Sequence, residues 1–179
     1  MTDSDPIADE FAEFFTSKVA GVCAFIAAAP TPIFDPSSAE CDFILFRPLQ
    51  SPELLLFMSK SPNKTSMLDP IPTWLVKESP ELLHPFLTTA FNRCLSEGHF
   101  PTVHKRAIVT PVPKKQSCNP SDLSNYRPIS NLCFISKLLE RVVNTHLHSH
   151  LDSCGLLPPI QSAYRPLFST ETAVLTVLF

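Results

Sequence analysis

Hydrophobic residues recur at helical spacing through most of the first hundred positions. Between residues 5 and 22 they return at three- and four-residue intervals after an Asp-Pro pair, which predicts an amphipathic helix. Two Ser-Pro-Glu stretches each place a helix-starting serine and proline ahead of an apolar run. They predict helices over Ser51–Lys60, with Ser51 as the N-cap, and over Ser79–Gly98, which ends at a glycine. Pro85 falls within the first two turns of the second helix and predicts a kink or a later start.

The spacing of the hydrophobic residues changes after Gly98. The stretch Arg106–Lys115, "RAIVTPVPKK", alternates and contains β-branched residues, which is typical of a strand. A turn-forming stretch, "QSCNPSDLSN", separates it from a second extended segment, "YRPISNL". Together these segments predict a two-stranded hairpin whose prolines restrict both arms to edge-like pairing.

The helical period returns after the hairpin. A helix that closes at Gly155 is predicted to direct six apolar residues toward a core: Ile135, Leu138, Leu139, Val142, Leu147 and Leu151. Ser169 is predicted to cap a final helix, whose residues Thr172–Phe179 are almost wholly apolar. We expect an exposed helix of this kind to self-associate, and we expect the chain to have been cut out of a larger protein.

The composition indicates a folded chain with an unusual backbone. Hydrophobic residues make up 44% of it and the mean hydropathy is +0.11, which argues against wholesale disorder. Nineteen prolines against three glycines predict many rigid turns. Residues 30–48 hold four prolines and no clear period, so we interpret them as a linker. The predicted organisation is an acidic helix and Pro-rich linker over residues 1–49, followed by a domain over residues 50–179.

Charge is distributed unequally along the chain. Residues 1–92 carry 5 basic and 12 acidic side chains, a net charge of −7, whereas residues 93–179 carry 9 basic and 5 acidic ones, a net charge of +4. Because phosphate is attracted to the basic half and repelled by the acidic half, any contact with nucleic acid is expected beyond residue 93.

The cysteines and the N-terminal apolar stretch bear on the compartment. The six cysteines are scattered, without a C-x-x-C pair, which favours reduced thiols over a zinc ribbon or a disulfide scaffold. The stretch Val19–Pro30 resembles the apolar part of a signal peptide, but acidic residues precede it and it is too short to cross a bilayer. We therefore expect an intracellular protein, nuclear or cytoplasmic, without membrane contact.

Four stretches occur in an order that matches a known family: "LDPIPTWLVKES", "HPFLTTAFNRCLSEGHFPTVHKRAIVTPVPKK", "NYRPISNLCFISKLLERVV" and "QSAYRPLFSTETAVL". They resemble the amino-terminal part of the reverse transcriptase domain of LINE-type (non-LTR, jockey-like) retrotransposons, in the family's order and spacing. The resemblance covers about residues 50–179. The earlier stretch "FAEFFTSKV" is similar to the helix that precedes this domain.

The resemblance implies a fold and a chemistry. The fold would be α+β and mostly helical with a short β-hairpin, corresponding to the fingers and the start of the palm of a right-handed polymerase. The complete enzymes join deoxynucleotides by means of two Mg²⁺ held on aspartates. Those aspartates would follow the last segment matched here, so the resemblance implies a truncated remnant of an RNA-directed DNA polymerase. We expect no catalytic residues, metal site or cofactor in this chain alone.

The resemblance also implies binding residues. Lys114 and Arg127, with Lys115 beside them, correspond to the fingers residues that contact the triphosphate of the incoming deoxynucleotide. Arg offers a rigid fork to phosphate oxygens and Lys a compact charge. The candidates for contact with an RNA or DNA template are Lys105, Arg106, Gln161 and Arg165. Without the resemblance, the first three residues would be solvated charges at a hairpin tip, and the "QSAYR" segment would be a turn whose Tyr164 packs into the core.

Alternative readings concern the helix after the hairpin and the function. His146, His150 and Cys154 share one helical face and could hold zinc, but a polar face with surface histidines is the favoured interpretation. Phe168 stands where the family often has a histidine, which weakens a polar role there.

The function hypotheses are a catalytically incomplete polymerase remnant, a weak binder of nucleotide or nucleic acid, and a protein-interaction fragment or unstable product.

Overall fold

The computed structural model describes residues 6–31, 41–158 and 161–178. Within these ranges the chain forms six α-helices and one two-stranded antiparallel sheet. The elements are α1 (Pro6–Ile26), α2 (Ser51–Lys60), α3 (Thr73–Glu78), α4 (Pro80–Glu97), β1 (Ala107–Pro113), β2 (Tyr126–Leu132), α5 (Phe134–Ser153) and α6 (Thr170–Leu178). This mixture agrees with the predicted α+β class, whereas the assignment to polymerase fingers stays a prediction. None of the described helices is long and apolar enough to cross a membrane.

The hydrophobic core lies where α2, α4 and α5 meet, with α3 packed on α4. Its fully buried side chains include Leu54 and Met58 of α2 and Leu138 and Val142 of α5. The apolar periodicity of each helix directs these residues inward. The remaining core members are Leu49, Val76, Phe91, Leu95, Phe134 and Leu139.

The helix ends follow the predicted signals with one shift. The N-cap of α2 is Gln50 and not Ser51, because the N–H of Leu54 already bonds to the Gln50 carbonyl at 3.1 Å. The helix α4 begins at Pro80 in spite of Pro85, so the later start considered above is wrong. Gly98 stops α4 as predicted, in the left-handed conformation with φ 60°.

Helix α5 corrects one part of the predicted core. Leu138, Leu139 and Val142 are buried as expected, but Leu147 is 39% exposed and His146, at 5%, takes the inward position. The buried face of α5 therefore continues from Val142 to His146, four residues later, and does not include Leu147. Gly155 ends the helix as predicted, because its φ of 61° allows the next N–H, of Leu156, to bond back to Leu151 at 2.9 Å.

The predicted hairpin is present, with β1 slightly shorter than Arg106–Lys115. The strands pair antiparallel, Ala107 opposite Leu132 and Val112 opposite Arg127. The N–H of Lys114 continues the ladder by bonding to the carbonyl of Asn125 at 2.8 Å. Hydrogen-bonded pairs alternate along such a ladder, so the three prolines, Pro111, Pro113 and Pro128, fall at positions that need no N–H.

Residues 41–50 have no regular secondary structure, and two of them, Phe46 and Leu49, pack against the core. The Asn92 side chain holds Leu49 by two hydrogen bonds, accepting from its N–H at 2.6 Å and donating to its carbonyl at 3.0 Å. Leu49 is 1% exposed, and Phe46 packs against the core. Part of the predicted linker therefore lies against the helices of the predicted domain, and residues 32–40 lie outside the described ranges. The division at residue 49 stays a prediction.

Candidate functional site

The two faces of the hairpin have different surroundings. Directly paired residues of an antiparallel ladder point to the same face, and successive residues alternate. Val109, Pro111 and Tyr126 share the face that α1 covers: the Phe11 ring meets the Tyr126 ring edge-on, with the centroids 4.9 Å apart. The opposite face, which carries Val112, Arg127 and Ile129, is turned away from α1. We call this second face the open face.

The open face combines positive charge with exposed apolar side chains. Arg127 is exposed and lies directly opposite Val112, which is 41% exposed. Ile129 is 43% exposed, and Lys114 follows Val112 by two residues on the same side of the extended chain. Among the described residues, Arg127 forms no salt bridge. The face therefore offers a cation and a shallow apolar surface to the same ligand.

The loop at the tip of the hairpin is held by its own polar groups. The Asp122 carboxylate accepts the N–H of Ser124 at 2.9 Å, and the amide of Asn125 donates to the Asn119 carbonyl at 3.1 Å. The hydrogen bonds from Ser124, helped by the nearby charge of Lys114, lower the pKa of Asp122. Lys114 is thus at the tip beside one acidic residue, and Arg127 is farther down the strand.

Lys115 lines a pocket of about 440 Å³ at the hairpin loop. Pro113, Cys118 and Tyr126 also line this pocket, and so does Val112 of the open face. The structure places Lys114 and Arg127 on one face but directs Lys115 to this pocket. Its phosphate role stays a prediction, and it would act on a different part of a ligand.

The first turn of α5, which directly follows β2, is held by hydrogen bonds on two sides. The Asp69 carboxylate accepts the N–H of Phe134 at 2.6 Å and that of Ser66 at 2.5 Å. On the other side, the Ser136 hydroxyl donates to the carbonyl of His104, just before β1, at 2.8 Å. Sequence reasoning missed both positioning residues. Asp69 was visible only as part of "LDPIP", and a contact with a residue 65 positions away leaves no local pattern.

Two candidates for template contact, Lys105 and Arg106, lie at the base of the hairpin. Both are exposed, in and just after the short 3-10 turn Thr102–Lys105. A strand rises about 3.3 Å per residue, so they stand about 25 Å from Lys114 along the hairpin. That distance matches a contact with an extended strand but not a shared contact with one phosphate group.

The other two candidates for template contact are held within their own loop. Arg165 donates weakly to the carbonyls of Pro158 and Gln161, at 3.4 and 3.3 Å, and its guanidinium lies 4.7 Å from the centre of the Phe168 ring. Gln161 is exposed. The expectation that Tyr164 packs into the core is wrong: the residue is 93% exposed in a left-handed turn with φ 61°.

The histidine face of α5 is not the polar surface that the sequence indicated. His146 is buried beside Glu53, with its Nε2 3.6 Å from the carboxylate, and Arg47 binds that carboxylate through two nitrogens at 2.6 and 2.7 Å. Burial and the Arg47 charge lower the pKa of His146, against the attraction of Glu53. In the described ranges no three His, Cys, Asp or Glu side chains lie close enough together to hold a metal ion.

Two known proteins are similar to the chain in amino-acid sequence. The RNA-directed DNA polymerase from mobile element jockey, of Drosophila melanogaster, is 31% identical to the chain over 86 residues, 48% of this chain and 9% of the relative. The probable RNA-directed DNA polymerase from transposon X-element, also of Drosophila melanogaster, is 30% identical over 122 residues, 67% of this chain and 13% of the relative. The chain is related to the LINE-type reverse transcriptases.

The family resemblance drawn from the four sequence stretches is thereby confirmed. No protein-family model matches the chain. The chain spans only 9% and 13% of the length of these two reverse transcriptases, so the similarity concerns a small part of each. The activity of a whole reverse transcriptase is therefore not attributed to these residues by the similarity.

Proposed function

We propose that the chain supplies the phosphate-binding hairpin of a retrotransposon-type RNA-directed DNA polymerase. On this proposal the 179 residues alone bind a deoxynucleoside triphosphate or a nucleic-acid backbone without extending a primer. The observation that carries it is the open face, where Arg127 and Lys114 stand beside exposed Val112 and Ile129 while α1 covers the other face.

The chemistry of the open face supports a phosphate ligand. A guanidinium without a carboxylate partner can form two parallel hydrogen bonds to phosphate oxygens, and a nearby ammonium adds charge. Val112 and Ile129 would contact the sugar or base of the same nucleotide. Lys105 and Arg106, farther along, fit sequence-independent contacts to a strand of RNA or DNA.

The proposal that these residues do not polymerise rests on their carboxylates. Two Mg²⁺ ions need clustered oxygen ligands. The five acidic residues beyond position 93 include no adjacent pair: Glu97, Asp122, Glu140, Asp152 and Glu171. Among the described residues no three His, Cys, Asp or Glu side chains lie close enough together to hold a metal ion, which supports this part of the proposal, and we derive no step through Mg²⁺.

Binding and primer extension test the two halves of the proposal separately. Titration with a labelled deoxynucleoside triphosphate and with a single-stranded oligonucleotide should give affinities that fall as salt rises. Arg127→Ala should weaken binding about tenfold, the loss of about 1.4 kcal/mol expected of a charge-assisted pair. Arg93→Ala is the control, since it removes the same charge from an exposed position on α4. Equal affinity of the two variants, or a salt-independent affinity, would refute the hairpin site.

The matched assay for catalysis is primer extension on an RNA template with Mg²⁺. We expect no DNA synthesis from the purified 179-residue chain at any deoxynucleotide concentration. Synthesis that survives repurification would show that the carboxylates present suffice.

A second candidate function, self-association or protein interaction, is favoured by α6. Its side chains Val174, Leu175, Val177 and Leu178 are 52 to 78% exposed. An apolar surface of this kind marks an interface or an aggregation site. Val177→Asp should reduce the mass measured by light scattering, and Thr176→Asp on the same helix is its control. A monomer whose mass neither change affects would exclude self-association through α6.

A further inference from the structure

The pocket at the hairpin loop is shaped by hydrogen bonds within the loop itself. The N–H of Cys118 donates to the carbonyl of Lys115 at 3.3 Å, which closes a turn beside the pocket. The hydroxyl of Tyr126 donates to the carbonyl of Pro120 at 3.1 Å, which holds the tyrosine ring against the loop. The pocket is therefore formed before a ligand arrives, and binding does not have to order the loop first.

The walls of this pocket combine flat rings with free amide groups. The rings of Pro113, Pro120 and Tyr126 line it, together with the side chains of Gln116 and Asn119. Among the described residues, the Gln116 carboxamide has no hydrogen-bond partner, and the Asn119 side chain uses only its oxygen, which accepts a backbone N–H at 3.0 Å. Flat rings stack on nucleobases, and carboxamides form hydrogen bonds with the edges of bases.

Positive charge lies on both sides of these walls. Lys115 lines the pocket, and Val112 belongs both to the pocket and to the open face, where Arg127 stands opposite it. The pocket is thus continuous with the open face. The one acidic side chain of the loop, Asp122, accepts a backbone N–H at 2.9 Å and is engaged within the loop. A strand with a base in the pocket therefore has cations beside its phosphates.

We propose that this pocket holds one unstacked base of a single-stranded nucleic acid, while the flanking phosphates contact Lys115 and the open face. The inference rests on the function proposed above and adds a base-binding subsite to its phosphate contacts. The pocket volume of about 440 Å³ lies within the range of about 300–1,000 Å³ that is typical of small-ligand sites. A base inside a duplex stays stacked and paired, so the subsite selects single strands.

Cysteine footprinting of the unmodified chain tests where the base lies. Cys118 is half-buried and lines the pocket, whereas Cys23, on α1, is exposed and serves as the internal control. A mixed-sequence single-stranded oligonucleotide, at about ten times its Kd, should slow alkylation of Cys118 by N-ethylmaleimide about tenfold. Alkylation of Cys23 should stay unchanged. The same oligonucleotide without its central bases keeps every phosphate and should leave Cys118 reactive, as should the matching duplex.

A variant separates the contact with the base from the contacts with phosphate. Gln116→Ala should weaken binding of the intact strand about fivefold, because a hydrogen bond to the base is lost. It should leave binding of the base-free strand unchanged. Lys115→Ala should weaken both strands by the same factor, since it removes a phosphate contact, and Lys60→Ala is the control for its charge.

The inference is overturned if the intact and the base-free strand protect Cys118 equally, or if neither bound strand protects it. It is also overturned if Gln116→Ala weakens both strands by the same factor. In each of these cases, a tenfold loss on Arg127→Ala would still support the phosphate-binding hairpin, so the two failures are distinguishable. A strand that does not bind at all refutes both.

Discussion

Asp69 is the residue whose loss should disturb the hairpin most directly. Its carboxylate accepts two backbone N–H groups, from Phe134 at 2.6 Å and from Ser66 at 2.5 Å. Phe134 is only 6% exposed, so in Asp69→Ala its N–H has little access to water. Leaving a buried donor unpaired costs about 1–3 kcal/mol. Loss of a negative charge at the start of α5 adds about 0.5 kcal/mol.

We therefore expect Asp69→Ala to lower the free energy of unfolding by about 2–3 kcal/mol. Asp69→Asn keeps an acceptor oxygen for one of the two N–H groups but turns its NH2 group toward the other and loses the charge, so it should cost about 1–2 kcal/mol. Urea unfolding followed by circular dichroism measures both. Asp152→Ala, an exposed change at the other end of α5, is the control. A cost of Asp69→Ala within about 0.5 kcal/mol of that control would refute the account of how the hairpin is anchored.

Three further predictions concern the core and the helix ends. Burial and Arg47 lower the pKa of His146 in the folded protein. As the pH falls below about 6.5, the unfolded chain therefore binds a proton that the folded chain does not, and the free energy of unfolding should decrease by up to about 1.4 kcal/mol per pH unit. Above about pH 6.5 this contribution to stability is complete. In His146→Leu this part of the measured pH dependence should vanish. Leu138→Ala should lower the free energy of unfolding, measured in urea, by about 2–5 kcal/mol, and Leu147→Ala should lower it by less than about 1 kcal/mol. Equal losses would contradict the observed burial. Gly98→Ala should lower stability by about 1 kcal/mol although its surroundings are open, because φ is +60°, and a neutral result would contradict the left-handed stop.

The sequence predicts the regular elements of this chain because their signals are local. The Ser-Pro-Glu starts, the glycine at position 98 and the alternation after it mark helix ends and strands within a few residues. No local signal in the sequence indicates that His146 is buried. Its position depends on Glu53 and Arg47, far away in the sequence, and the helical period alone favoured Leu147 for the core.

The candidate site divides in the same way. The sequence predicted that Lys114 and Arg127 lie on the two arms of one hairpin, but the twelve-residue loop between the strands does not fix the pairing of Val112 with Arg127 or the common face. Tertiary contacts decide which face of the hairpin α1 covers and bring Asp69 to the start of α5. Such contacts leave no periodic pattern in the sequence. Residues 41–49 show the same limit, because a segment with prolines and no clear period has the pattern of a linker even where Phe46 and Leu49 pack against the core.

Methyl NMR during titration with a deoxynucleoside triphosphate tests the central proposal most directly. Val112 and Ile129 report on the open face, and Val109 reports on the face that α1 covers. We predict that the Val112 and Ile129 methyl signals shift with saturation while the Val109 signals stay in place, and that Arg127→Ala moves the midpoint of these shifts to about tenfold higher nucleotide. Shifts confined to Val109, or none at millimolar nucleotide, would contradict a phosphate-binding role for this hairpin.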